Sequence, residues 1–303
     1  MLENGVHILG IGLEPQAAAT SPESLAGEHA LWKLDMEALA PWTPGEAGQG
    51  GFPAERWTSG RAEVAWPVIV GGPCGSAMDL AWRMAAECRL PKWGSVLVAS
   101  QRSGRGQMRR EWCSPPGNLY AAWLWPSLPA HWDRLASLLA GYALCRALQP
   151  YAPGLRIKWP NDLLYGDHKV GGVLVEERDR RILVGFGLNL ISAPGADAMR
   201  GDAAAPAGCL GDIHGGFGPL RLWLHVLGPA VSEVSRALEG EPRSFLRAME
   251  GLLAWRGFQV RVKEPGERER VGIIVGLSND GGLRLADDGG EQVLYSGSIL
   301  PLS

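Results

Sequence analysis

The sequence predicts an α+β protein: a body of alternating strands and helices, then a short all-β tail. Three observations lead there. From Trp66 onward, apolar runs of strand length alternate with stretches of helical periodicity. From Phe258 to the end, short β-branched runs are cut by the turns Ser278-Asn279-Asp280-Gly281-Gly282 and Asp287-Asp288-Gly289-Gly290, the pattern of a small barrel of about 45 residues. Before Trp66 the composition changes, with nine acidic and three basic residues and many Pro and Gly.

Each element has its own local reason. Residues 24–39 carry one stretch of helical periodicity, while Pro41, Pro44, Pro53, Gly45, Gly48, Gly50 and Gly51 break the rest of 1–65 into loops. This region reads as an acidic N-terminal extension whose Trp32, Trp42 and Trp57 pack onto the body or form a partner surface; deleting residues 1–60 is expected to leave the chemistry largely unchanged. Residues 66–70 are a strand. Residues 76–89 are a helix, with Ser76 as N-cap and Asp79 at the third helical position, close to a capping box. Residues 95–100 and 118–125 are strands, and 131–148 is a helix with a broad apolar face. Strands follow at 155–159, 170–176 and 181–190, then helices at 219–238 and 242–255. The expected domains are therefore 1–65, a body at 66–257 and a tail at 258–303.

Composition excludes several classes. The chain has 303 residues, 46% of them hydrophobic, and a net charge of −3, which suits a globular protein with a sizeable core. Cys74, Cys88, Cys113, Cys145 and Cys209 are odd in number and show no CxxC spacing, so they read as reduced thiols of a cytoplasmic protein. The six histidines form no HxxxH or HExxH pair, so no metal site is expected from the protein's own residues. No secretory signal and no membrane-length apolar run is visible. Successive basic helices for reading DNA are absent too.

Three constellations can carry chemistry. The first is 101–112, Gln-Arg-Ser-Gly-Arg-Gly-Gln-Met-Arg-Arg-Glu-Trp. Its glycines let backbone N–H groups approach an anion, and its arginines offer planar forks to carboxylate or phosphate; the alternative is a solvated basic hairpin. The second is Lys158-Trp159-Pro160-Asn161-Asp162, followed by Lys169-Val170-Gly171-Gly172. The chain has five Lys against 24 Arg, and two of the five lie here, where a compact point charge suits a site. Lys158 sits in an apolar strand and needs a partner, a ligand or a path to water. Pro160 ends the strand, and Asn161 and Asp162 start a turn with free side chains. The third is Gly185-Phe186-Gly187-Leu188-Asn189, where small residues in a strand leave space for a flat ligand or for a crossing helix.

In this order the three constellations resemble the biotin protein ligases. KWPND with the following K-x-G-G strand is the most specific match. The Gly-Arg-Gly loop ending in Trp112 is the second and the GxGxN strand the third. The Gly-rich tail resembles the family's SH3-like C-terminal domain. The resemblance covers roughly residues 66–303 and implies a central mixed sheet flanked by helices. Residues 1–65 do not resemble the winged-helix domain of the bifunctional members, so DNA binding is not expected.

The resemblance implies an ATP-dependent reaction in two halves. Biotin and ATP form biotinyl-5′-AMP with Mg²⁺, and the biotinyl group then passes to a lysine of a biotin carboxyl carrier domain. It also allows a homodimer. Carried over residue by residue, Lys169, Arg105 and Asp162 match catalytic positions. Ser76, Gln101, Arg105, Gly106, Lys169, Gly172 and Gly185 match positions around biotin. Arg105, Trp112, Asn161, Asn189 and Lys158 match positions around the nucleotide. The chain departs from the family where Ser-Thr-Asn is replaced by Ser76-Ala77-Met78, and where Gln107 and Arg109 stand in the loop for Arg and Gly. Two further readings are a lipoate or octanoate protein ligase and a non-catalytic sensor of biotin or its adenylate. Pyrophosphate release with biotin and ATP separates the sensor from the enzymes.

Overall fold

The computed structural model describes residues 2–9, 19–45, 56–195, 205–211, 215–264 and 269–302. In chain order the elements begin with β1 (Gly5–Leu9), α1 (Pro22–Glu28), α2 (Ala30–Ala38), β2 (Trp42–Pro44) and β3 (Arg56–Ser59). Next come β4 (Pro67–Gly71), α3 (Ala77–Ala86), β5 (Ser95–Val98), β6 (Leu119–Trp125) and α4 (Ala136–Leu148). Strands β7 (Leu155–Lys158), β8 (Asp162–Tyr165), β9 (His168–Arg178) and β10 (Arg181–Leu188) follow, then α5 (Pro219–Glu239) and α6 (Pro242–Glu250). The chain ends with β11 (Gln259–Lys263), β12 (Glu269–Leu277), β13 (Leu283–Asp287), β14 (Gly290–Leu294) and β15 (Ser298–Pro301). These elements fall into two compact units. One takes described residues from 1–127, 173–192 and 209–228; the other takes them from 128–172, 193–208 and 229–303.

The first unit is built on a mixed sheet in the order β2-β3-β1-β4-β5-β6-β10, continued by the second half of β9. β4 runs parallel to β1 and β5, whereas β1–β3, β2–β3, β5–β6 and β6–β10 pair antiparallel. All seven residues of β6 are buried, which explains its unbroken apolar run Leu-Tyr-Ala-Ala-Trp-Leu-Trp. Helix α3 begins where predicted, with Ser76 Oγ accepting from the Met78 N–H at 3.2 Å. Its Leu80, Ala81 and Met84 are fully buried in a core with Ile69, Val96, Val98, Ala122 and Leu183.

Residues 1–65 contribute α1, α2 and three strands to this unit. β1 lies between β3 and β4, in register with β4 from Gly5↔Pro67 to Ile8↔Val70. Deleting residues 1–60, expected to leave the chemistry largely unchanged, would uncover the edge of β4. The single helix expected at 24–39 is two helices. His29 is extended (φ −167°, ψ 152°), ends α1 and caps α2 by accepting the Leu31 N–H on Nδ1 at 3.1 Å. Trp32 is fully buried, Trp42 donates its indole N–H to the Met36 carbonyl and Trp57 is half-buried. Asp35, also fully buried, accepts the N–H groups of Gly218, Leu220 and Arg221 and so caps α5 from a distant part of the chain.

In the second unit, a 3-10 turn at Ala130–Leu135 precedes α4, where one continuous helix was expected. Strands β7, β8 and the start of β9 form an antiparallel meander, with Lys158 opposite Asp162 and Asp162 opposite Gly172. β8 was expected as a turn; its four residues Asp-Leu-Leu-Tyr do not alternate, and turn residues flank them on both sides. The tail is the expected all-β module, a five-stranded antiparallel sheet in the order β14-β13-β12-β11-β15. Ile157 of β7 exchanges backbone hydrogen bonds with Leu252 and Ala254, just after α6, which ends at Glu250 rather than at 255. Among the described residues, no helix is long and apolar enough to cross a membrane.

Candidate active site

The Gly-Arg loop belongs to the first unit and its base is tightly laced. The Gln101 side chain accepts the Ala77 N–H on Oε1 at 2.9 Å and donates from Nε2 to Ser114 Oγ at 2.8 Å. Arg102 and Ser103 donate backbone N–H groups to the Cys74 and Gly75 carbonyls, and Trp112 donates to the Gly104 carbonyl. A Cβ at Gly104 would lie 2.5 Å from the Trp112 carbonyl oxygen and 2.6 Å from Ser114 Oγ, so glycine is required by close packing. Gly106 donates its N–H to the Arg110 carbonyl at 2.8 Å. The tip is open: Met108 is left-handed (φ 56°) and 76% exposed.

Arg105 leaves the loop to meet two carboxylates. Its Nη1 and Nη2 donate to Asp79 Oδ2 and Oδ1 at 2.8 and 2.6 Å, a bidentate fork, and its Nε lies 3.5 Å from Glu176 Oε1. Glu176 Oε2 also accepts from the Trp82 indole and from Arg178 Nη2, each at 2.8 Å. The Arg105 hydrogen bonds hold the Asp79 carboxyl below its ordinary range. Ser76 is buried and serves as the cap of α3.

Above β10, both glycines are filled by the protein itself. A Cβ at Gly185 would come within 2.8 Å of the Met78 sulfur, and one at Gly187 within 2.7 Å of the Trp112 indole. The small-large-small pattern therefore seats Met78 and Trp112 against the strand. Asn189 is buried just past β10, and its carbonyl accepts the Leu210 N–H at 2.9 Å.

In the second unit, Asp162 gathers two lysines. Its Oδ1 lies 2.7 Å from Lys169 Nζ and its Oδ2 accepts from Lys158 Nζ at 3.2 Å. Lys158, which needed a partner in its apolar strand, has one. The expectation of free side chains at the turn fails for Asp162, which opens β8 already paired. The three groups sum to one positive charge. Burial pushes the Asp162 carboxyl up, but Lys169 and Lys158 outweigh it and hold the group below the ordinary carboxylate range. Lys169 is fixed by its backbone: its N–H donates to the Pro206 carbonyl at 2.7 Å and its carbonyl accepts the Gly208 N–H at 2.9 Å. Gly172 faces Asp162 across the ladder, and Asn161 stands immediately before β8.

Thus Lys158, Asp162, Lys169 and Gly172 meet in one unit, and Ser76, Gln101, Arg105, Gly106, Trp112 and Gly185 in the other. Strand β9 runs through both, carrying Lys169 and Gly172 in one and Glu176 in the other. Sequence reasoning missed Asp79 and Glu176 as partners of Arg105. Asp79 was read only as part of a capping box, and nothing local marks Glu176. Among the described residues, no group of three or more His, Cys, Asp and Glu is placed to hold a metal ion.

Comparison with known proteins places the chain in a family. Residues 77–190 match the Biotin/lipoate A/B protein ligase family, and residues 257–300 match the Biotin protein ligase C terminal domain. A biotin–[acetyl-CoA-carboxylase] ligase of Paracoccus denitrificans is 32% identical over 218 residues, covering 67% of this chain and 88% of that protein. A protein of the same name from Mycobacterium tuberculosis is 30% identical over 241 residues, covering 69% and 79%. The biotin protein ligase from Aquifex aeolicus in complex with biotin and ATP superimposes with a TM-score of 0.64 at 25% identity, over 78% of this chain and 98% of that one. With both modules matched in order and relatives aligned over most of their length, the chain belongs to the biotin protein ligase family.

Proposed function

We propose that this protein is an ATP-dependent biotin protein ligase. In the first half-reaction a biotin carboxylate oxygen bonds to the α-phosphorus of ATP, and the bond to the bridging oxygen breaks to release pyrophosphate. In the second, a lysine amine of a biotin carboxyl carrier domain attacks the acyl carbon of biotinyl-5′-AMP, AMP leaves, and an amide remains. The observation that carries the reading is the match to both family modules in order, together with relatives at 30% identity or more over most of their length.

The residue chemistry supports it. The first step brings two anions together, so fixed positive charge must offset their repulsion and the charge that develops. We assign that role to Lys169, which Asp162 orients within a cluster of net charge +1, with Lys158 as the buried supporting charge. Arg105 takes an anionic group of substrate or adenylate. The Gly104–Gly106 segment covers the adenylate against water. By their match to the family's motifs we assign Gln101, Ser76, Gly172 and Gly185 to biotin, and Trp112, Asn161 and Asn189 to the nucleotide. Mg²⁺ would arrive with ATP and would offset part of the phosphate charge. The reaction takes place in the cytoplasm.

The test is transfer. The protein is incubated with biotin, ATP, Mg²⁺ and an apo carrier domain, and the carrier is analysed by mass spectrometry. Biotin on one carrier lysine, dependent on ATP, is expected. An unmodified carrier together with undiminished ATP would refute the reading.

A further inference from the structure

Arg105 offers the recognition element expected of an anion-binding loop, a guanidinium fork, and in this structure the fork is already occupied. Asp79 takes both Nη groups at 2.8 and 2.6 Å, the arrangement a substrate carboxylate would adopt on the same group. The neighbouring charges balance: Arg105 and Arg178 face Asp79 and Glu176. A carboxylate arriving at Arg105 leaves the cluster with an excess anion unless one of the two acids withdraws.

The two acids differ in how firmly they are held. Glu176 is bound by three partners, through the Trp82 indole and Arg178 as well as Arg105. The Asp79 side chain is 43% exposed, on the first turn of α3, and can swing into water by a change of rotamer. At this exposure water and an incoming carboxylate can compete for both partners, so the bidentate pair is open to exchange. The loop is pinned at its base by Gln101, Gly104 and Ser114, whereas its tip reaches the body through Arg105.

Resting on the functional reading above, we infer that Asp79 is an internal competitor for Arg105: it latches the Gly-Arg loop in the ligand-free protein and gives way to the carboxylate of the acyl substrate. Loop opening and substrate capture are then one exchange of carboxylates on one guanidinium. Arg105 stays anchored throughout by Glu176.

The test compares Asp79→Asn with wild type in two measurements. The first is calorimetric binding of biotin and of biotinol, the neutral alcohol analogue that cannot compete for the fork. Removing a solvent-screened competitor should tighten biotin binding about two- to fivefold and leave biotinol unchanged. Biotin binding that is unchanged or weaker in the variant, or an equal change for both ligands, overturns the proposal; weaker binding would make Asp79 a positioning residue for Arg105. The second is the rate of tryptic cleavage within 102–110 without ligand. It should rise several-fold in Asp79→Asn with at most a small drop in melting temperature, and an unchanged rate overturns the latch. If wild type binds neither biotin nor biotinol, the functional reading fails, and the cleavage rates still decide whether Asp79 holds the loop.

Discussion

Two lysines share one aspartate, and their removal should have opposite signatures. Lys158 is the buried partner, with its side chain 9% exposed, and it lies 3.2 Å from Asp162 Oδ2. Lys169 is 30% exposed and lies 2.7 Å from Oδ1. Lys158→Ala deletes a mostly buried side chain together with its bond to Asp162 and leaves the carboxylate to the more exposed Lys169, which costs about 3 kcal/mol. For a unit of this size that lowers the thermal midpoint by about 6–12 °C. Lys169→Ala leaves Asp162 paired with Lys158 and removes a partly exposed interaction, about 1 kcal/mol and at most about 4 °C. Its effect should fall on the chemistry instead. Losing one preorganised charge that acts on a developing anion typically lowers the rate by about 10²–10³. Thermal melts followed by tryptophan fluorescence, beside biotin-dependent pyrophosphate release, give both numbers for each variant. Equal losses of stability in the two variants, or a near-normal rate in Lys169→Ala, would refute the division of labour.

Further outcomes follow from other contacts. The carboxyls of Asp162 and Asp79 are held below the usual value of 3.8, so their contribution is present above that pH and is lost as pH falls through their folded values. The thermal midpoint should therefore drop steeply below about pH 4, and Asp162→Asn should show less of that acid loss while melting lower at neutral pH. Gly281→Ala places a Cβ 2.7 Å from Leu138 Cδ1 and 2.8 Å from Leu135 Cδ2 at a φ of +85°, beside the carbonyl that accepts the Trp159 indole N–H. It should cost about 1–3 kcal/mol, read as a lower melting midpoint, and an unshifted midpoint would contradict the packing. A chain lacking residues 1–60 should aggregate or melt without cooperativity, because β1 and the Asp35 cap are lost; a cooperative, active product would contradict the sheet order.

Much of the fold was legible because local signals and tertiary packing agree. β6 is a continuous apolar run and is buried along its whole length. Helix α3 carries its own cap, and the tail's Gly-rich turns separate its strands. The losses came where short elements depend on partners far along the chain. β1 and β3 were missed because each is a few residues within a Pro- and Gly-rich, acidic stretch, stabilised by pairing with strands elsewhere. β8 was hidden by the turn residues around it. His29 splits a helix because its ring can cap the next turn, which periodicity does not register.

The candidate site shows the same division. The residue types were legible: a lysine in an apolar strand demanded a counter-charge, and Asp162 supplies it. The pairings across long separations were not. Arg105 meets Asp79 across 26 positions, and Trp82 meets Glu176 across 94. The two glycines of β10 read as space for a ligand or a crossing element, and in the fold Met78 and Trp112 take that space.

The most direct test of the central claim is ATP–pyrophosphate exchange measured separately with biotin, lipoate and octanoate. Biotin specificity predicts exchange with biotin, abolished or nearly so by Lys169→Ala, and background rates with the two linear acyl acids. Exchange driven by lipoate or octanoate, with none for biotin, would contradict it.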